Sequence, residues 1–64
     1  MRDEGRIFPL CMKIARLWQY YAPDWRFMQL MSNFVVWYGS DPFYMEDDEF
    51  SRQFLKFMDE IGVK

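Results

Sequence analysis

Apolar side chains in the first third of the chain recur every three or four positions, the spacing of one face of an α-helix. These apolar positions are Ile7, Leu10, Cys11, Ile14, Leu17, Trp18 and Tyr21. We expect the helix to begin near Phe8 or Pro9, because a proline deep inside a helix clashes with the preceding turn. The helix should end at Ala22, since a residue that precedes a proline is displaced from helical geometry.

A second apolar pattern follows Asp24, which we predict to be the N-cap of the next helix. One face of that helix would contain Phe27, Leu30, Met31, Phe34, Val35 and Tyr38. The opposite side is also largely apolar and contains Trp25, Met28, Ser32, Val36 and Gly39. A helix of this kind is either central in its fold or part of an interface. A β-strand over residues 34–38 is the competing prediction, because aromatic and β-branched residues favour sheets.

The segment Gly39–Pro42 is rich in turn-forming residues and separates the second helix from a third. The third helix should start at Glu46 or Asp47 and end at Ile61, with Gly62 as a left-handed cap that Val63 accompanies. Its inner face would consist of Phe50, Phe54, Phe57, Met58 and Ile61. The sequence therefore predicts an all-α fold, a compact three-helix single domain over residues 1–64. An irregular connection, Gly39–Met45, precedes the last helix, and residues 43–45 could alternatively form a strand that pairs with a second chain.

The composition disfavours several kinds of chemistry. The 64 residues include no histidine and one cysteine, so neither an internal disulfide nor a common zinc site can form. Cys11 lies on the predicted inner stripe of the first helix, where we expect it to pack as a small apolar side chain. A pocket that encloses a small substrate is difficult to build in a domain of this size. We therefore expect no enzymatic activity and no cofactor.

Aromatic residues make up 22% of the chain, more than three short helices can enclose. Such residues are enriched at protein interfaces, where Trp and Tyr contribute much of the binding energy. We expect the contact surface to include Trp25, Trp37, Tyr38, Phe43 and Tyr44. The predicted function is that of a non-enzymatic protein–protein interaction module. Its partner would be a second copy of the chain, as a homodimer or larger homo-oligomer, or a different protein.

An acidic cluster lies around the start of the third helix. It consists of Asp41, Glu46, Asp47, Asp48 and Glu49. A calcium-binding loop that starts at Asp41 would need glycine at its sixth position, which is Glu46, so this spacing excludes one. We expect the cluster to stabilise the amino-terminal end of the helix through the helix dipole. The alternative function is a small acidic phage-type inhibitor that binds a basic nucleic-acid site on a host complex.

The net charge of −2 disfavours nucleic-acid binding, which depends on many Lys and Arg contacts with phosphates. Direct binding through Lys13, Arg16 and Tyr20 is a third interpretation with less support. The longest apolar run, residues 34–38, is far shorter than the roughly 20 residues needed to span a bilayer. The charged start of the chain does not resemble a secretory signal. We expect a cytoplasmic protein without a membrane partner, and a free thiol is compatible with that reducing compartment.

Short motifs are distributed over most of the chain. They are Arg6-Ile7, Trp18, the pattern P-D-x-R-x-x-Q-L-x-x-N over residues 23–33 and the pattern D-x-F-Y-x-E-D-D-E over residues 41–49. Together they resemble a family of short bacterial proteins that has no established activity. The resemblance implies a small, mostly helical cytoplasmic protein and implies no catalytic residue or cofactor. We hypothesise that Arg26, Gln29 and Asn33, which have helical spacing, hold the second helix against the acidic turn.

Overall fold

The computed structural model describes residues 2–62. Helix α1 comprises Ile7–Tyr21, α2 comprises Phe27–Tyr38 and α3 comprises Asp47–Ile61. A short 3₁₀ turn, Glu4–Arg6, leads into α1. No β-strand occurs in this described part of the chain, so the prediction of an all-α three-helix fold is confirmed. Within the same residues, no helix is long and apolar enough to cross a membrane.

Helix α1 begins slightly earlier than its proline suggested. Pro9 is the third residue of α1, a position at which a missing N–H has little effect because first-turn amides lack acceptors within the helix. The helix ends at Tyr21, and Ala22 forms its C-cap by donating its N–H to the carbonyl of Trp18 over 3.0 Å. The predicted end of this helix is therefore confirmed.

The side chain of Trp18 fixes the turn between α1 and α2. Its indole Nε1–H donates to the carbonyl of Trp25 over 3.0 Å. The backbone N–H of Trp25 in turn donates to the carbonyl of Ala22 over 3.1 Å. These two bonds hold residues 22–25 in a turn, and α2 begins only after it, at Phe27.

The prediction that Asp24 is the N-cap of α2 was wrong. The helix begins at Phe27, and Arg26 occupies the N-cap position in an extended conformation. The Arg26 N–H donates to Oε1 of Gln29 over 2.7 Å, so the Gln29 side chain satisfies a free amide at the helix start. The alternative of a strand over residues 34–38 was also wrong, because these residues form the last part of α2.

Glycine ends α2 as the turn-rich sequence suggested. Gly39 has a φ of 83°, which places it in the left-handed region that glycine adopts without steric cost. Its N–H donates to the carbonyl of Val35 over 3.2 Å. Residues 43 and 44 then form a turn, and α3 starts at Asp47 as predicted.

The end of α3 differs from the prediction. Gly62 is the C-cap, but its φ of −63° and ψ of 153° are extended rather than left-handed. Glycine is required there for space, because an added Cβ would lie 2.5 Å from the Met58 carbonyl oxygen and 2.6 Å from Cβ of Tyr21. The end of α3 therefore approaches α1 closely at this point. The predicted contact of Val63 lies outside the described residues.

The hydrophobic core is built around α3, which packs against both of the other helices. The buried residues are Ala22, Leu30, Phe34, Phe54, Phe57 and Met58. The ring of Phe34 lies near the middle of this cluster, with ring centroids 5.1 Å from Phe50, 5.5 Å from Phe57 and 5.9 Å from Phe54. Because these rings interlock edge to face and at tilted angles, α2 and α3 share one aromatic core.

Only part of the apolar stripe of α1 faces this core. Partly buried side chains at Ile14, Leu17, Trp18 and Tyr21 pack against the core. Cys11 is exposed, so the prediction that it packs inside was wrong. Cys11 lies about 60° around the helix from Ile14, at the edge of the stripe, and the contact with α3 is narrower than the stripe.

Candidate interaction surface

The loop before α3 presents two aromatic rings to solvent. Phe43 is 75% exposed and Tyr44 is 88% exposed. Their centroids are 4.8 Å apart in an edge-to-face arrangement. The loop is held by the N–H of Phe43, which donates to Oδ1 of Asp41 over 3.1 Å, and by the N–H of Met45, which donates to the carbonyl of Pro42 over 2.9 Å. The two rings are therefore displayed on an ordered turn.

The other aromatic residues expected at the contact surface are half-buried. Trp25 and Trp37 both lie against Phe57, at centroid distances of 6.2 and 5.6 Å. Tyr38 stacks on Phe34 with centroids 6.1 Å apart and an interplanar angle of 10°. Because the core covers part of each of these three rings, less of each ring is available to contact a partner. Their place in an interface stays a prediction.

The outer face of α2 is a second exposed apolar surface. Met28 is 65% exposed and Val36 is 79% exposed, with Ser32 exposed between them at intervals of four residues. Val35 flanks this stripe and is also exposed. Met28, Ser32 and Val36 were not among the predicted contact residues. The signal that could have identified them was the apolar character of α2 on both sides.

The outer face of α1 combines apolar and basic side chains. Phe8 is 74% exposed, and Met12 is exposed one turn later. The wall of a shallow cavity of about 540 Å³ consists of Phe8, Pro9, Met12, Lys13, Arg16 and Leu17. Lys13 and Arg16 are exposed here, so this face differs from that of α2 in having two positive charges.

Two residues of the acidic cluster tie the start of the chain to α3. Nη2 of Arg2 lies 2.7 Å from Oε1 of Glu46, and Nε of Arg6 lies 2.5 Å from Oδ2 of Asp47. Asp47 thus pairs with Arg6, and the hypothesis that Arg26 holds this turn was wrong. The amino-terminal segment supplies the positive charges instead.

The remaining acidic residues interact locally. Glu49 forms an ion pair with Arg52 and accepts a hydrogen bond from Nε2 of Gln53 over 2.7 Å. The hydrogen bond from Gln53, followed by the one from Arg52, lowers the pKa of Glu49. Asp48 accepts the N–H of Glu49 over 2.9 Å, and Asp41 orders the aromatic loop. Asp47, Asp48 and Glu49 form the first turn of α3, as expected for side chains that oppose the helix dipole.

A cavity of about 550 Å³ lies at the end of α1, with residues 19–25 as its wall. Nearby, the Tyr21 hydroxyl donates to Oδ1 of Asp59 over 3.4 Å. Partial burial, and then the Asp59 carboxylate, raise the pKa of Tyr21 above its ordinary value. Among residues 2–62, no group of three or more Asp, Glu or Cys side chains is placed to hold a metal ion.

No protein-family model, curated protein or solved structure matches the chain. The resemblance of its motifs to a family of short bacterial proteins therefore stays a prediction. The arguments about function that follow rest on the geometry of this chain.

Proposed function

We propose that the chain is a non-catalytic protein–protein interaction module that associates with itself through exposed apolar side chains. The observation that supports this most directly is the exposure of large apolar side chains on its surface. On that surface Val36 is 79% exposed and Tyr44 is 88% exposed.

The character of the exposed surface supports the same proposal. Several large apolar side chains are more than half exposed, including Met28, Val36, Phe43 and Tyr44. Large apolar side chains exposed next to one another, as Phe43 and Tyr44 are on their loop, mark contact sites. The fully buried core is small for a free-standing domain, and oligomerisation is one of the usual ways in which such small domains gain stability.

The non-catalytic part of the proposal is supported by the state of the ionisable groups. The sequence contains no histidine to act as a base near neutral pH. The carboxylates of Glu46, Asp47 and Glu49 are engaged with arginines. We also propose a cytoplasmic location, because an exposed free thiol at Cys11 is compatible with a reducing compartment.

The acidic inhibitor, the alternative function, gains no support from this geometry. A mimic of nucleic acid needs a strong negative field. Arg2, Arg6 and Arg52 offset much of the charge of the acidic cluster within the chain itself. A protein partner held by apolar contacts fits the surface better.

The proposal is tested by light scattering on a sizing column, from low to high micromolar concentration. We expect a mass of twice the 8.0 kDa chain, with dissociation on dilution. A single monomer mass across the whole concentration range would contradict self-association.

A further inference from the structure

We propose that the second copy docks on the outer face of α2, antiparallel to it, about a twofold axis at Ser32. This inference rests on the proposed self-association and assigns it to one surface. The outer stripe Met28, Ser32 and Val36 would form the centre of the contact.

The distribution of charge favours this face over the outer face of α1. A twofold contact is isologous, so each side chain meets the same surface patch of the other copy, and like charges in that patch repel. Helix α2 has no charged residue between Phe27 and Tyr38. The outer face of α1 has Lys13 and Arg16 instead, and it would bring positive charges together. The outer face of α2 can therefore contact the same face of a second copy without bringing like charges together.

The spacing of the stripe defines the geometry of the pair. Met28 and Val36 are each four residues from Ser32, about 6 Å along the helix axis on either side. With the axis at Ser32, Met28 of one copy lies against Val36 of the other, and this contact occurs twice. Serine at the centre is small enough for two helix axes to approach to about 8 Å.

The exposed area agrees with this placement. Met28 and Val36 are among the most exposed apolar side chains of the helices, at 65% and 79%. The antiparallel arrangement also aligns the two helix dipoles favourably.

A charge-swap experiment tests the contact. Met28→Glu and Val36→Lys are made singly and together, and the dimer dissociation constant is measured by sedimentation equilibrium. Each single substitution places a charge in an apolar contact, so we expect the dissociation constant to rise at least tenfold. In the double variant each new carboxylate faces a new ammonium group of the other copy, and we expect most of the affinity to return. The two positions are about 12 Å apart along one helix, too far to pair within a chain.

Phe8→Glu is the matched control, because it places a charge on an equally exposed apolar position of α1. It should leave the dissociation constant unchanged. If Phe8→Glu separates the copies and Val36→Lys does not, the dimer uses another face and the α2 assignment is overturned. If the double variant is no tighter than the single variants, the antiparallel register is overturned. A wild-type chain that is always monomeric overturns the proposed function itself.

Cross-linking provides a second measurement that does not depend on introduced charges. In a Cys11→Ser background, Ser32→Cys places one thiol from each copy at the axis, and mild oxidation should give a covalent dimer. Arg16→Cys in the same background places an exposed thiol on α1 and should stay monomeric on the gel. Equal cross-linking of the two variants would overturn the assignment.

Discussion

Replacing Phe34 with leucine tests the aromatic core. Phe34 is 2% exposed. The rings within 6.1 Å of its centroid are those of Trp37, Tyr38, Phe50, Phe54 and Phe57. A core this small supplies only about 3–5 kcal/mol of stability, and a buried Phe→Ala change costs about 4 kcal/mol. Alanine at this position would therefore unfold most of the protein, whereas leucine leaves a folded state to measure.

The expected cost of Phe34→Leu is about 2 kcal/mol. Leucine loses the ring contacts but retains much of the apolar volume, so the cost should be about half of the roughly 4 kcal/mol of a buried Phe→Ala change. With a urea dependence of about 1 kcal/mol/M for a small domain, the unfolding midpoint should fall by roughly 2 M. Tryptophan fluorescence and far-ultraviolet circular dichroism report the transition. Both proteins are compared at one concentration, because self-association also shifts the midpoint.

Phe43→Leu is the matched control for this measurement. It makes the same chemical change at a ring that is 75% exposed. Its effect should stay within about 0.5 kcal/mol. Equal midpoint shifts for the two variants would refute the placement of Phe34 at the centre of the core.

Three further changes test the packing and the charges around α3. Gly62→Ala should destabilise the fold by about 1–3 kcal/mol, because its Cβ would lie 2.5 Å from a backbone oxygen; thermal unfolding that is unchanged would contradict this. A double-mutant cycle of Arg6→Gln and Asp47→Asn should give a coupling below about 1 kcal/mol that weakens in high salt; no coupling at low salt would exclude the ion pair. Gln53→Ala should raise the pKa of Glu49 in a carboxyl NMR titration, since the Gln53 hydrogen bond is the largest cause of its lowering. The stabilisation from Glu49 is complete above the ordinary pKa of glutamate and is lost as the pH falls through the lower folded value.

The helices could be predicted from the sequence because local signals set their limits. Pro23 and Gly39 stop α1 and α2, and acidic residues mark the start of α3. The start of α2 could not be predicted in the same way. It depends on the Trp18 indole, which reaches the carbonyl of Trp25 across the turn, and local rules offer both Asp24 and Gln29 as capping side chains.

The candidate surface was predictable only in part. The aromatic loop of Phe43 and Tyr44 is exposed where the sequence suggested a contact site. Trp37 was harder to place, because an indole near a helix end can face solvent or cover a core, and here its Nε1–H donates to Oε1 of Glu60 over 3.1 Å. Burial of Cys11 could not be judged either, since the width of a helix contact depends on the partner helix.

The central position of α3 affects how the chain folds during synthesis. Leu30 and Phe34 are buried in the same cluster as Phe54, Phe57 and Met58, yet α3 is made after both α1 and α2. At about 5–20 residues per second, its 15 residues take roughly one to three seconds to synthesise. Through that interval the apolar faces of α1 and α2 have no completed core to enter. The nascent chain therefore exposes these faces to chaperones and to premature contacts until α3 has emerged from the ribosome.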